Sequence, residues 1–231
     1  MRPNPLSRLL RFLPLAALGV VLAGSSVTDS MAATPRVESP FLWKVDGAQA
    51  PSYLFGTIHA GVSARELPQR VGVAISQSEL FIMETAPAKG MVQMADSAPM
   101  DLDLAKYAHR SGAKILTLET LRFQLDLLSK LGSKEEIAAM LAEDAAAEMA
   151  TAPLVNAYRS GDENLLMAEA IPPNPDMQEL LLDSRNRRWS KKLAPVLAKG
   201  GAFVAVGAGH LPGERGLVTL LRDRGFSVER A

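Results

Sequence analysis

The stretch Ser52–His59, SYLFGTIH, is matched at the far end of the chain by Ala202–His210, AFVAVGAGH. In each, a short apolar run reads as a buried strand, a glycine follows, and a histidine stands three residues beyond it: Gly56 with His59, and Gly207 with His210. Apolar runs of this length, rich in aromatic and β-branched residues, predict strands buried on both faces. The chain has only three histidines, so two of them sharing one frame is a strong signal. The third, His109, lies on a polar helix face beside Arg110 and reads as a solvated surface residue.

Working outward, strands and helices alternate. Phe41–Val45 and Ser52–Phe55 flank Asp46-Gly47, a hairpin signal. Ser63 and Glu66 have capping-box spacing ahead of a helix through Val71, Ala74 and Ile75. Leu80–Met83 reads as a strand ending at Glu84, residues 85–100 as a loop, and Asp101 as the cap of a helix to Arg110 that Gly112 stops. Lys114–Leu118 is the next strand and ends at Glu119. Helices follow over Leu121–Leu131, from Ser133 through an alanine-rich stretch, and around Tyr158 and Leu165. Pro172, Pro173 and Pro175 break this region. A helix from about Asp176 to Lys199 then returns to the last strands, with Pro195 as a kink or an early stop. The expected fold is α/β: a central mixed, largely parallel sheet flanked by helices, with a helical segment between its two halves.

Composition narrows the function classes. At 231 residues and 48% hydrophobic content, the chain can bury a substantial core. Basic and acidic residues balance at 25 each with no basic stripe, which argues against a nucleic-acid partner. No cysteine is present, so thiol nucleophiles, zinc–thiolate sites and iron–sulfur clusters are excluded. Residues 1–32 have the layout of a secretory signal peptide: Arg2, Arg8 and Arg11, then the apolar run Phe12–Ala23, then small residues. Residues 33–231 are read as one domain, periplasmic or secreted, touching a membrane only through the leader if it is uncleaved.

Four strand ends thus carry site chemistry: His59, Glu84, Glu119 and His210. In open α/β sheets ligands bind beyond the carboxyl ends of the strands. If these strands are parallel neighbours, two imidazoles and one or two carboxylates share a pocket. Two histidines and a carboxylate meet the ligand need of a catalytic metal with an open position for water. Glu84 or Glu119 could then take the proton. Read singly, a strand-end histidine is more often structural, Glu84 could merely cap a turn, and Glu119 could open the next helix.

The ordered set YLFGTIHAG, FIMET, DLDLAKYAHRSGAKILTLETLRFQL, RNRRW and AFVAVGAGHLPGERGLVTLLRDRGFSV resembles the TraB/GumN family, which is related to the Tiki metalloproteases. The resemblance runs from about Phe41 to Val228. It implies a fold like those of erythromycin esterase and the haem-binding protein ChaN. It also implies a divalent metal (manganese, cobalt or zinc) held by His59, Glu84 and His210, and hydrolysis of a peptide or small molecule. Family motifs carry over as Gly56, His59, Glu84, Arg185, Gly207 and His210, with Arg185 meeting negative charge in the pocket and Asn186 and Trp189 in support. The competing expectation is a non-catalytic haem-, metal- or peptide-binding protein of the same fold, linked by the GumN name to exopolysaccharide production. The chain departs from the family between Glu84 and Asp101, where about sixteen residues stand in place of a longer helical insertion.

Overall fold

The computed structural model describes residues 37–59, 61–86, 100–132, 148–172 and 174–231. Six strands form one sheet in the order β4-β3-β5-β2-β1-β6: β1 Leu42–Val45, β2 Ser52–Thr57, β3 Leu80–Met83, β4 Lys114–Thr117, β5 Ala202–Gly207 and β6 Val228–Arg230. Neighbouring pairs among β4, β3, β5 and β2 are all parallel, and β1 runs antiparallel to both β2 and β6. The expected mixed, largely parallel sheet is what the chain forms.

Strand β5 is buried at every residue, as a central parallel strand must be when both its faces are covered. Phe203 stands at its middle, paired across the sheet with Tyr53 and Phe81, and its ring stacks on Phe81 at 5.6 Å. Helices α1 (Gln69–Ser76), α2 (Met100–Arg110) and α3 (Leu121–Leu128) follow the early strands. Helices α4 (Glu148–Ser160), α5 (Glu163–Ala170), α6 (Pro175–Gln178) and α7 (Ser184–Lys199) lie between β4 and β5, and α8 (Leu217–Arg222) precedes β6. The alanine-rich stretch from Ser133 and the loop over residues 87–99 lie outside the described residues.

Three local expectations are refined. The hairpin signalled by Asp46-Gly47 forms, with Val45 paired to Ser52, and its loop has a second task. Ala48 and Gln49 donate backbone N–H groups to the carbonyls of Ala198 and Lys199, at 2.9 and 3.0 Å, and so close the carboxyl end of α7. Glycines are needed where the loop crosses that end: a Cβ on Gly200, whose φ is 95°, would come within 2.0 Å of the Ala50 carbonyl oxygen. The Ser63–Glu66 capping box forms in full but caps the short 3-10 turn Ala64–Glu66, and α1 starts after Pro68. Pro195 neither ends α7 nor delays it, since the helix runs on to Lys199.

Helix α7 buries Arg185, Trp189, Leu193 and Leu197 at four-residue spacing, with Asn186 and Ser190 beside them. That stripe is one helical face. Its first two turns carry polar groups under the strand ends and its last two carry leucine into the core.

Candidate functional site

The four strand ends converge. Backbone pairing continues past β3 and β4, with Leu118 N–H on the Met83 carbonyl at 2.9 Å and Glu119 N–H on the Glu84 carbonyl at 2.8 Å. Glu84 and Glu119 are therefore held side by side. On the other flank of β3, Gly207 at the end of β5 donates its N–H to Glu84 Oε1 at 2.8 Å. The motif glycine supplies a backbone donor here.

Arg185 is the hub. Its Nε donates to Glu119 Oε1 at 3.0 Å, one terminal nitrogen to Glu84 Oε2 at 2.5 Å and Glu119 Oε2 at 2.9 Å, and the other to the Leu181 carbonyl at 3.0 Å. That last nitrogen also lies 3.1 Å from His210 Nε2. Five contacts use all five N–H donors of a guanidinium. The Leu181 carbonyl belongs to a π-helical turn, Glu179–Asp183, immediately before α7, the kind of irregularity that frees a backbone acceptor for a side chain. Arg185 also lies over the Trp189 ring, 4.5 Å from its centroid.

His210 is fully buried and both ring nitrogens are engaged. Nδ1 is 2.6 Å from Asn186 Oδ1, and Asn186 donates its amide N–H to the Arg215 carbonyl at 2.9 Å. That amide orientation makes His210 Nδ1 the donor. Nε2 is then a lone pair facing an arginine that can only donate. Burial and the adjacent Arg185 hold the His210 pKa well below its usual value, so the ring is neutral.

Glu119 is saturated. Oε1 accepts from Arg185, from Arg188 at 3.0 Å and from Trp189 Nε1 at 3.0 Å, while Oε2 accepts from Arg185 and from Gln124 at 3.3 Å. Glu84 is less filled, and its pKa is raised: burial and the Glu119 charge outweigh the pull of Arg185, the Gly207 N–H and His59. It is the carboxyl better placed to carry a proton.

His59 differs from all of these. Its side chain is 3% exposed, yet neither ring nitrogen has a hydrogen-bond partner among the described residues. The nearest charge is Asp101, in the first turn of α2, with Oδ1 3.5 Å from His59 Nδ1. Burial opposes the charged ring, but Asp101 and then Glu84 prevail and the His59 pKa is raised. Burial likewise works against the Asp101 carboxylate, but His59 and the backbone N–H groups of Asp101 and Leu102 lower its pKa. Sequence reasoning treated Asp101 as a helix cap and passed over Gln124 and Arg188. Only the folded arrangement shows what they touch. His109 is exposed, as expected.

A catalytic metal needs about three protein ligands. Among the described residues no group of three or more His, Asp or Glu side chains is placed to hold an ion. His210 has both nitrogens occupied, Glu119 is filled, and Glu84 faces a guanidinium. Among the described residues, the buried side-chain atoms without a hydrogen-bond partner are both ring nitrogens of His59, Asp101 Oδ1, Thr85 Oγ1 and Gln124 Oε1. This arrangement does not fit the expected ion held by His59, Glu84 and His210.

An α/β sheet with two histidines, two carboxylates and a buried arginine at adjacent parallel strand ends defines a protein whose polar machinery sits at the carboxyl edge of the sheet. The TraB/PrgY/gumN family model matches residues 41–99 and 86–230, and the chain belongs to that family. The two matched segments meet at the short connection after Glu84. The chain is also similar to a metalloprotease TIKI homolog of Amphimedon queenslandica, 24% identical over 221 residues, covering 79% of this chain. It spans only 43% of that relative's length. No solved structure matches it.

Proposed function

We propose that this chain is an exported hydrolase that cleaves peptide or other amide bonds at the strand ends, with His59 as the proton acceptor. The observation that carries this reading is the buried His59 ring with both nitrogens unfilled, set beside a network in which the other candidate groups are engaged. Leaving buried polar atoms without partners costs stability, and such a cost is retained where the group has chemistry to perform. Glu84, with its raised pKa, is the second proton carrier and suits return of a proton to the leaving group. Arg185 fixes Glu84 and Glu119 in place; with its donors spent, it acts as scaffold and not as a contact for developing charge.

Family membership and the similarity to a metalloprotease TIKI homolog support hydrolysis and metal dependence, and the leader-like residues 1–32 support a periplasmic or secreted location. Balanced charge supports a peptide or small-molecule partner over nucleic acid. The test is cleavage of a peptide library by the mature protein, after chelation and after addition of manganese, cobalt or zinc. His59→Ala is expected to abolish cleavage. Full turnover in that variant overturns the proposal, and strict dependence on an added ion would return the metal to the site.

One observation favours a second reading, a binding protein without turnover. Arg185, Glu119 and His210 find their hydrogen-bond partners within the protein, as members of a purely structural network do. A Soret band on haem reconstitution, or peptide binding without cleavage, would favour it.

A further inference from the structure

The two glycine-x-x-histidine motifs end in rings that are wired alike at one nitrogen and differently at the other. His210 Nδ1 meets the side-chain oxygen of Asn186 at 2.6 Å, and its Nε2 is closed off by Arg185 at 3.1 Å. His59 Nδ1 meets the side-chain oxygen of Asp101 at 3.5 Å, and its Nε2 is buried and free. The structural histidine has an amide partner, and the open one has a carboxylate.

Resting on the hydrolase reading, we infer that Asp101 is a positioning residue for His59: it accepts a hydrogen bond from Nδ1–H and so fixes the tautomer whose Nε2 lone pair is available to the reaction. Which ring nitrogen of a histidine carries the proton is decided by the hydrogen bond the other makes. Without an acceptor at Nδ1, the ring would divide between tautomers and the basic nitrogen would often be the wrong one. The 3.5 Å separation is longer than a formed hydrogen bond, as catalytic pairs often are before substrate binds, and a small rotation of either side chain closes it.

Capping alone does not account for Asp101. The backbone N–H groups of Asp101 and Leu102 help to lower its pKa, yet Oδ1 is buried with no hydrogen-bond partner among the described residues. The charged group beside that oxygen is His59. Both side chains are nearly out of solvent, at 3% and 9% exposure, so no bulk water competes for the contact. The same pairing serves a histidine acting as a base or as a ligand, because a carboxylate at the far nitrogen orients the ring in either case.

The test uses the mature protein labelled with nitrogen-15 in its three histidines, read by NMR at alkaline pH where the rings are neutral. The parent is expected to show His59 protonated at Nδ1. Asp101→Ala should move His59 toward the Nε2-protonated form while His210 keeps its own pattern, which certifies the fold. Asp101→Leu, close to the original volume, gives the same reading if the alanine variant is unstable. In the peptide assay, loss of Asp101 should lower kcat by about 10–100-fold with KM nearly unchanged, and Asp101→Glu should restore part of it. An unchanged His59 tautomer beside an intact His210 signature overturns the inference. Absence of any peptide cleavage by the parent would sink the hydrolase reading alone, since the tautomer shift is seen without turnover.

Discussion

Replacing Arg185 with leucine strips the cation from between two buried carboxylates. In the parent, one guanidinium makes three contacts to Glu84 and Glu119, one to His210 Nε2 and one to the Leu181 carbonyl. Arg188 still reaches Glu119, but its side chain is 47% exposed and it does not touch Glu84. Breaking a buried pair by removing one partner costs about 3–5 kcal/mol. Against a total of roughly 5–15 kcal/mol for a domain, that is a large share. The pH dependence gives the cause away. Burial already raises the Glu84 pKa above its ordinary 4.5, and without Arg185 it must rise further. A carboxyl with a raised folded-state pKa binds its proton more tightly folded than unfolded, so stability falls as pH rises through that window and returns as pH drops. Urea unfolding should therefore show Arg185→Leu far less stable than the parent at pH 7.5 and less disadvantaged near pH 5. Adding Glu84→Gln should recover part of the loss at the higher pH. An Arg185→Leu protein within about 1 kcal/mol of the parent at both pH values refutes the hub.

The close packing of Gly56 against Ala208 and Phe41 predicts that Gly56→Ala destabilises by about 1–3 kcal/mol, read by the same urea unfolding, through overpacking. A Cβ there would stand 2.9 Å from atoms of Ala208 and Phe41. His210 is held neutral in the fold, its pKa depressed by burial and Arg185, so its contribution is whole above pH 6.5 and is lost as pH falls toward the folded value. The parent should lose up to about 1.4 kcal/mol per pH unit from this group across that acid window, and His210→Asn, measured in parallel, should lack that component of the slope.

The sheet was legible because its strands are written plainly. Ala202–Gly207 is an unbroken apolar run, and Leu80–Met83 and Lys114–Leu118 each end in a carboxylate that marks where the strand leaves the core. Parallel order then brings His59, Glu84, Glu119 and His210 to one edge. What the sequence could not express was the state of each group once there. Two histidines with the same local frame look equivalent, yet one is closed by Asn186 and Arg185, residues 24 and 25 positions away, and the other is left open beside Asp101. The hairpin that Asp46-Gly47 signals does form, with β1 antiparallel to β2, but the shape of its loop was hidden for a similar reason. Its conformation answers to the end of α7, about 150 residues downstream, and no local signal carries that.

These differences divide the labour of the site. A network that uses every donor of Arg185 and both nitrogens of His210 is rigid, since any movement strands a buried charge or lone pair. Rigidity at β3, β4 and β5 fixes Glu84, and the shared sheet fixes the end of β2 relative to it. Tyr158 adds to this by donating its hydroxyl to the Gly56 carbonyl at 2.6 Å, pinning the backbone three residues before His59. The one imidazole with freedom to act is thus anchored through its strand and steered through Asp101 while its Nε2 is spent on nothing. Chemistry at the other end of the cluster would have to dismantle the bonds that hold the cluster together. The cheaper course is for the reacting atoms to gather around His59, at the β2 side of the strand ends, with the arginine network as the wall against which they are placed.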